Sequence, residues 1–214
     1  LLQGAKSSHY FLFISNASEC EKEKVHLIFG LGNPGEQYVK TRHNMGFMIL
    51  DLISERFRVV FKKGEGSYSA ASLRLRNHEV ILVKPLTFMN LSGKAVKDAL
   101  DYYHPEDLAK ILVISDDINL PFGTIRLRPG GSDGGQKGLR SIIAEIERDD
   151  FPRLRAGIGD TGTNLVDYVL SPFSREEQEE LPGILDWAAD AVESFILNGI
   201  DVTMSRYNRN IIEN

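Results

Sequence analysis

The chain of 214 residues carries a single cysteine, Cys20. One thiol excludes a disulfide framework and a cysteine metal site, and it suits a reducing, cytosol-like compartment. No apolar run reaches the ~20 residues that a membrane-spanning helix needs. No two of the five histidines stand at metal-ligand spacing, so a metal site is not expected. No serine occupies a nucleophile elbow and Cys20 lies near the start, so a covalent intermediate is not expected either. Internal repeats and low-complexity segments are absent. Among hydrolytic chemistries, these absences leave a water activated by a base.

Nor is there a surplus of positive charge. The net charge is −5, which at first argues against a nucleic-acid partner. The distribution reverses that reading. Ser174 to Ser194 holds seven acids against Arg175 alone, a local charge of −6 that leaves about +1 for the rest. Pro121 to Arg140 holds Arg126, Arg128, Lys137 and Arg140 against Asp133. An acidic helix and a basic face can share one domain, although two solvated surfaces would give the same counts.

Residues 1–24 read as a non-core tail: an expression remnant, a misassigned start or a short targeting piece. From Val25 onward, strand and helix patterns alternate. The strand-like runs are Val25–Leu31, Tyr68–Leu75, Glu79–Lys84, Ile111–Ser115, Thr124–Arg128 and Arg153–Ile158. Helical spacing marks Met45–Phe57, with Asn44 as N-cap, and then Leu91–Tyr103 and Leu139–Arg148. Ser174-Arg-Glu-Glu177 is a capping box. It opens a helix that Pro182-Gly183 should kink or split and Asn198-Gly199 should end. The alternation predicts an α/β fold, a single-domain three-layer sandwich with a twisted mixed sheet flanked by helices.

Gly30-Leu-Gly32-Asn-Pro-Gly35 fits G-x-G-x-x-G, the dinucleotide fingerprint. That motif needs a helix beginning within it, yet no 3.6-residue period appears before Met45. Pro34-Gly35 reads instead as the centre of a type II turn. No nucleotide cofactor is expected. The loop is a platform that presents Asn33, Tyr38, Arg42, His43 and Asn44 at the end of a strand.

His43 is a candidate general base, and such a base needs a carboxylate on its other nitrogen. Asp116, where "ILVISDD" leaves a buried strand, is the best candidate, and a capping or turn aspartate is the equal alternative. Asn90 is either a helix cap or an amide aimed at a ligand. "RLRPGGSDGGQKGLRS" leads exposed backbone N–H groups into a helix start between basic residues. It suits a phosphate, or is a flexible surface loop.

Three motifs resemble the bacterial-type peptidyl-tRNA hydrolase family: "GLGNPGEQYVKTRHNMGF", "KPLTFMNLSGKAV" and "GGSDGGQKGLRSI". "SDDINLPFG", "RLRAGIG" and "GIDVTMSRYN" support them in the family's order. The resemblance implies a catalytic domain over residues 25–210, with 211–214 as a C-terminal end. It implies hydrolysis of the ester between a peptide and the tRNA 3′ ribose by a cytoplasmic monomer without a cofactor. By position, His43 is similar to the family's base, Asp116 to its carboxylate and Asn33 to its peptide-recognising residue. Tyr38, Phe88 and Asn90 are similar to substrate contacts, and Arg128 and Arg155 to residues that hold the tRNA terminal phosphate.

Where well-known members read Gly-Gly-His-Asn-Gly, this chain has Gly134-Gly135-Gln136-Lys137-Gly138. A lysine cannot accept a hydrogen bond as asparagine can. Lys137 is therefore expected to stay unburied and to hold the RNA 3′ end without moving a proton. An inactive RNA-binding relative, of splicing-factor type, is the alternative reading.

Overall fold

The computed structural model describes residues 24–159, 162 and 164–212. The tail at 1–23, with Cys20, lies outside them, as does the end at 213–214.

Seven strands form one sheet. They are β1 (Lys24–Gly30), β2 (Lys62–Lys63), β3 (Tyr68–Leu75), β4 (His78–Pro85), β5 (Ile111–Asp117), β6 (Ile125–Arg128) and β7 (Arg153–Gly157), in the order β2-β3-β4-β1-β5-β7-β6. The four central strands pair in parallel, and the outer pairs are antiparallel. The sheet is therefore mixed, with its parallel centre covered on both sides as parallel sheets require.

The helices are α1 (Met45–Arg56), α2 (Ser92–Tyr103), α3 (Lys137–Ile146), α4 (Leu165–Val169) and α5 (Arg175–Tyr207). Alternate residues of each strand face opposite layers. Ile28, Leu82, Leu112, Ile114 and Leu154 meet α1 through Ile49 and Ile53, and α5 through Ala188, Val192 and Phe195. Leu27, Phe29, Ile81, Val83 and Val113 meet α2 through Val96 and Ala99, and α3 through Leu139 and Ile142. Each fully buried aliphatic side chain contributes about 1.5–3 kcal/mol. Truncating one at the centre, such as Ile114→Ala, would cost about 2–5 kcal/mol. Among the described residues, no helix is long and apolar enough to cross a membrane.

The glycines after β1 have a packing role. A Cβ on Gly30 would stand 2.4 Å from the Gly46 carbonyl oxygen, and one on Gly46 would stand 2.4 Å from the Leu31 nitrogen. Their absence lets the first turn of α1 lie directly on the end of β1. That contact fixes where the loop between them can go.

Three expectations need correction. Gly35 has φ 113° and ψ 146°, and a type II turn needs ψ near 0° at that position. The chain does not reverse there. It enters a short 3-10 turn, Glu36–Tyr38, in which the Tyr38 N–H donates to the Gly35 carbonyl. Asn44 does precede α1, but its side chain makes no cap bond. Pro182 does not split α5, whose only non-helical backbone lies at Gly199. Pro182 and Gln178, the residue whose carbonyl loses its partner, are both exposed, so water replaces the missing bond. At Gly199 the first helix ends as expected, and a second follows at once to Tyr207, with Thr203 Oγ1 donating to the Gly199 carbonyl at 2.8 Å. The capping box is as expected: the Ser174 and Glu177 side chains each accept from the other's backbone N–H.

Candidate active site

The site lies at the carboxyl ends of β1, β4 and β5. A cleft of about 550 Å³ opens there, lined by residues of five separate segments. The loop from β1 to α1 closes on itself through two asparagines. The Asn33 N–H donates to Asn44 Oδ1 at 2.8 Å, and Asn44 Nδ2 donates to the Asn33 carbonyl at 3.0 Å. This clasp takes the Asn44 amide away from helix capping. It brings the two ends of a ten-residue excursion together, as in a compact Ω-loop.

At the end of that excursion, the 3-10 turn Arg42–Asn44 sets His43 against β5. His43 Nδ1 lies 2.7 Å from Asp116 Oδ2, and their side chains are 11% and 3% exposed. An ionised carboxylate only accepts, so Nδ1 is the donor, and in the neutral imidazole Nε2 is the nitrogen that carries the lone pair. His43 lines the cleft, and among the described residues nothing in the protein bonds to Nε2. Of the two readings of Asp116, the capping one has no bond behind it: among the described residues both of its oxygens meet side chains, not backbone N–H groups. Its second oxygen, Oδ1, accepts from Gln136 Nε2 at 2.9 Å. A carboxylate this buried is costly unless both oxygens are satisfied, and here both are.

Asn33 reaches the cleft from the clasp. Its Oδ1 accepts from the Met89 N–H at 2.8 Å, which leaves Nδ2 as a donor without a partner among the described residues. Asn90 lies in the 3-10 turn Met89–Leu91, and the N-cap of that turn is Phe88. Asn90 is thus no cap. It is exposed, lines the cleft and makes no side-chain bond among the described residues. Tyr38 and Phe88 meet edge to face, with ring centroids 6.4 Å apart, and form one wall.

Family comparison is decisive at this point. A model of the family described as peptidyl-tRNA hydrolase matches residues 27–214. This chain belongs to the peptidyl-tRNA hydrolase family. The peptidyl-tRNA hydrolases of Chlorobium limicola and Chloroflexus aggregans are each 45% identical to it. They align over 86% and 85% of this chain and 97% and 98% of their own lengths. A crystal structure of peptidyl-tRNA hydrolase from Acinetobacter baumannii is similar at a TM-score of 0.81 and 32% identity, over 88% of this chain and 96% of that one.

The peptidyl-tRNA hydrolase fold gathers some of the expected residues and disperses others. Asn33, Tyr38, His43, Phe88, Asn90, Asp116 and Lys137 all line the one cleft. Lys137 is exposed at the start of α3 and ion-pairs with nothing among the described residues. Arg42 departs from the platform reading. Its guanidinium turns away and binds Ser171 Oγ at 2.7 Å, the Pro172 carbonyl at 2.6 Å and Glu177 Oε2 at 2.5 Å. It also stacks 4.3 Å from the Tyr168 ring centroid.

Arg128 and Arg155 lie outside the cleft, on β6 and β7. Arg155 Nε is 2.7 Å from Asp117 Oδ2, and its guanidinium lies against Gly134. Arg126 is its cross-strand neighbour. Arg128 is exposed and ion-pairs with nothing among the described residues. The glycine loop above this patch is tied by Asp133, whose Oδ1 accepts from the Gly135 N–H at 2.7 Å. That bond, with Arg140 alongside, holds the Asp133 carboxyl below its usual range.

Sequence reasoning missed two features. Gln136, left out as a site residue, bonds directly to the Asp116 carboxylate. Its signal was position: a residue with a side-chain acceptor just before a helix start. The second is α4, whose Leu165, Val166 and Val169, with the adjoining Leu170, form the aliphatic wall opposite Tyr38 and Phe88. A five-residue helix is too short to show a period. Among the described residues, no group of three His, Cys, Asp or Glu stands where it could hold a metal ion.

Proposed function

We propose that this protein hydrolyses peptidyl-tRNA through a water activated by the His43–Asp116 pair. The observation that carries the reading is the 2.7 Å contact between His43 Nδ1 and Asp116 Oδ2, with Nε2 left open to the cleft. Family membership supplies the substrate. In the reaction, His43 Nε2 takes a proton from water as the oxygen attacks the ester carbonyl. The ester C–O bond then breaks, and the same proton passes to the departing 3′ oxygen of the ribose. Asp116 keeps the imidazole in the required tautomer and stabilises the imidazolium formed in transit.

Asn33 Nδ2 is placed to donate to a peptide carbonyl, and the Asn90 amide is free to act beside it. Tyr38 and Phe88 on one side and α4 on the other offer apolar surface to the peptide. Lys137, at the rim, suits a ribose or phosphate oxygen as a donor. Arg128 and Arg155 extend positive charge outward from the glycine loop, along the path an RNA acceptor end would take. All the catalytic groups come from one chain, which supports action as a monomer. Peptidyl-tRNA arises at ribosomes, which supports a site of action where translation occurs, the cytoplasm in this reading.

The deciding experiment is release of an N-blocked amino acid from tRNA, run beside binding of uncharged tRNA. Multiple turnovers are expected without added metal or cofactor. Binding without turnover would favour the RNA-binding reading instead.

A further inference from the structure

Gln136 joins the glycine loop to the His43–Asp116 pair, and both of its amide donors are directed inward. It is the N-cap of α3, where its Oε1 accepts from the Leu139 N–H at 2.8 Å. That bond turns the amide nitrogen toward Asp116, and Nε2 lies 2.9 Å from Asp116 Oδ1. Met89 Sδ, 3.3 Å away, takes the other N–H. An amide has two donors and one carbonyl acceptor. All three are engaged, so Gln136 offers no donor to a substrate although it borders the cleft.

Asp116 therefore has one donor on each oxygen: His43 on Oδ2 and Gln136 on Oδ1. The terminal torsion of an aspartate is broad and close to two-fold. With a single donor, the carboxylate can rotate and carry Oδ2 off the line of the imidazole. A second donor, fixed by a helix terminus, blocks that rotation. The amide also does not titrate, so the donor persists at every working pH.

We propose that Gln136 is a positioning residue for the hydrolysis. It clamps Asp116 so that Oδ2 stays on His43 Nδ1, and it uses α3 as the rigid support. This rests on the proposed reading of the site as an ester hydrolase.

Two substitutions separate the clamp from the cap. Gln136→Ser keeps a strong N-cap for α3 but is too short to reach Asp116. Gln136→His restores a neutral N–H donor at that place. Two readouts are needed: kcat and KM on N-blocked aminoacyl-tRNA, and the His43 ring N–H proton resonance, observed without substrate. Gln136→Ser should lower kcat roughly 10-fold with KM almost unchanged, a fraction of the general-base contribution. Its His43 N–H signal should broaden through exchange with water, while thermal melting stays near wild type. Gln136→His should recover most of kcat and the sharp signal.

Wild-type kcat and a sharp signal in Gln136→Ser would reduce Gln136 to a helix cap and overturn the proposal. Equal impairment in both variants would overturn it as well, because the donor would then not be the property that matters. The resonance needs no turnover. A wild-type protein with the protected signal but no hydrolysis would sink the hydrolase reading alone, and the loss of the signal in Gln136→Ser would still report on the clamp.

Discussion

Arg42 and His43 are neighbours in the chain, both buried, and each is paired with a carboxylate within 2.7 Å. Only one of them, His43, is assigned chemistry in the function proposed above. Arg42 places both terminal nitrogens on acceptors from residues 171–177 and stacks against Tyr168. It fastens the segment before α5 to the loop after β1, next to the bridge between Thr41 and Pro172. His43 has one nitrogen held and the other open to a cleft. A buried charge with its terminal donors engaged is a fastening. A buried imidazole with a free lone pair facing a cavity is a base. The difference lies in what remains unsatisfied, not in burial or in the strength of the pair.

The contrast is open to direct attack. The largest effect expected is from His43→Ala, which should lower kcat by about 10²–10⁴-fold and leave the urea midpoint and tRNA binding nearly unchanged. Turnover above about a tenth of wild type would take the base role from His43. Arg42→Met should do the reverse. It leaves Glu177, whose side chain is 20% exposed, with the Ser174 N–H but no counter-charge, and should cost about 3 kcal/mol in chemical denaturation. The folded fraction should retain most of its turnover, because no Arg42 atom lines the cleft. If Arg42→Met proved fully stable but inactive, the division of labour between these neighbours would be wrong.

A smaller effect sharpens the comparison within the loop clasp. Asn33→Asp keeps an oxygen for the Met89 N–H and puts a charged acceptor in place of the donor that faces the cleft. Its kcat/KM on N-blocked aminoacyl-tRNA should fall by about 10–100-fold, the worth of one lost donor set against a peptide carbonyl. Unblocked aminoacyl-tRNA should respond less, so the ratio of the two rates is the measurement. An equal fall for both substrates would leave Asn33 as part of the clasp alone.

The smallest effect tests the same rule on the RNA side. Arg155 is already paired with Asp117, and Arg128 ion-pairs with nothing among the described residues. Arg128→Ala should flatten the dependence of log affinity on log salt by about 0.7–0.9, one phosphate contact, and Arg155→Ala by less. The sequence alone would weigh the two arginines equally. Titrations of tRNA binding against salt that showed equal slopes for both variants would mean that the Asp117 pair opens when RNA arrives.

Much of this protein was legible in its residues. The alternation of β-rich and helical runs gave the α/β layers, and the mixed sheet followed from their order. The three motifs pointed to the family, and with it to His43, Asp116, Asn33, Tyr38, Phe88 and Asn90, all of which meet in one cleft. Those signals are local: a period of 2 or 3.6, a capping box, a run of turn residues. Each is carried by side chains close together in the chain.

What only the folded chain decided depends on distant partners. His43 and Asp116 are 73 positions apart, and Gln136 and Asp116 are 20 apart. Their pairing exists because β1 and β5 are adjacent in the sheet and α3 begins at its edge. For the same reason Asn44 gave up its cap for Asn33, and Arg42 turned from the cleft toward residues about 130 positions away. The exposed Pro182 could lose its helical bond without splitting α5. A sequence states which groups each residue offers. Which of those groups are used up and which stay free for chemistry depends on what stands beside them, and that is set by the tertiary packing.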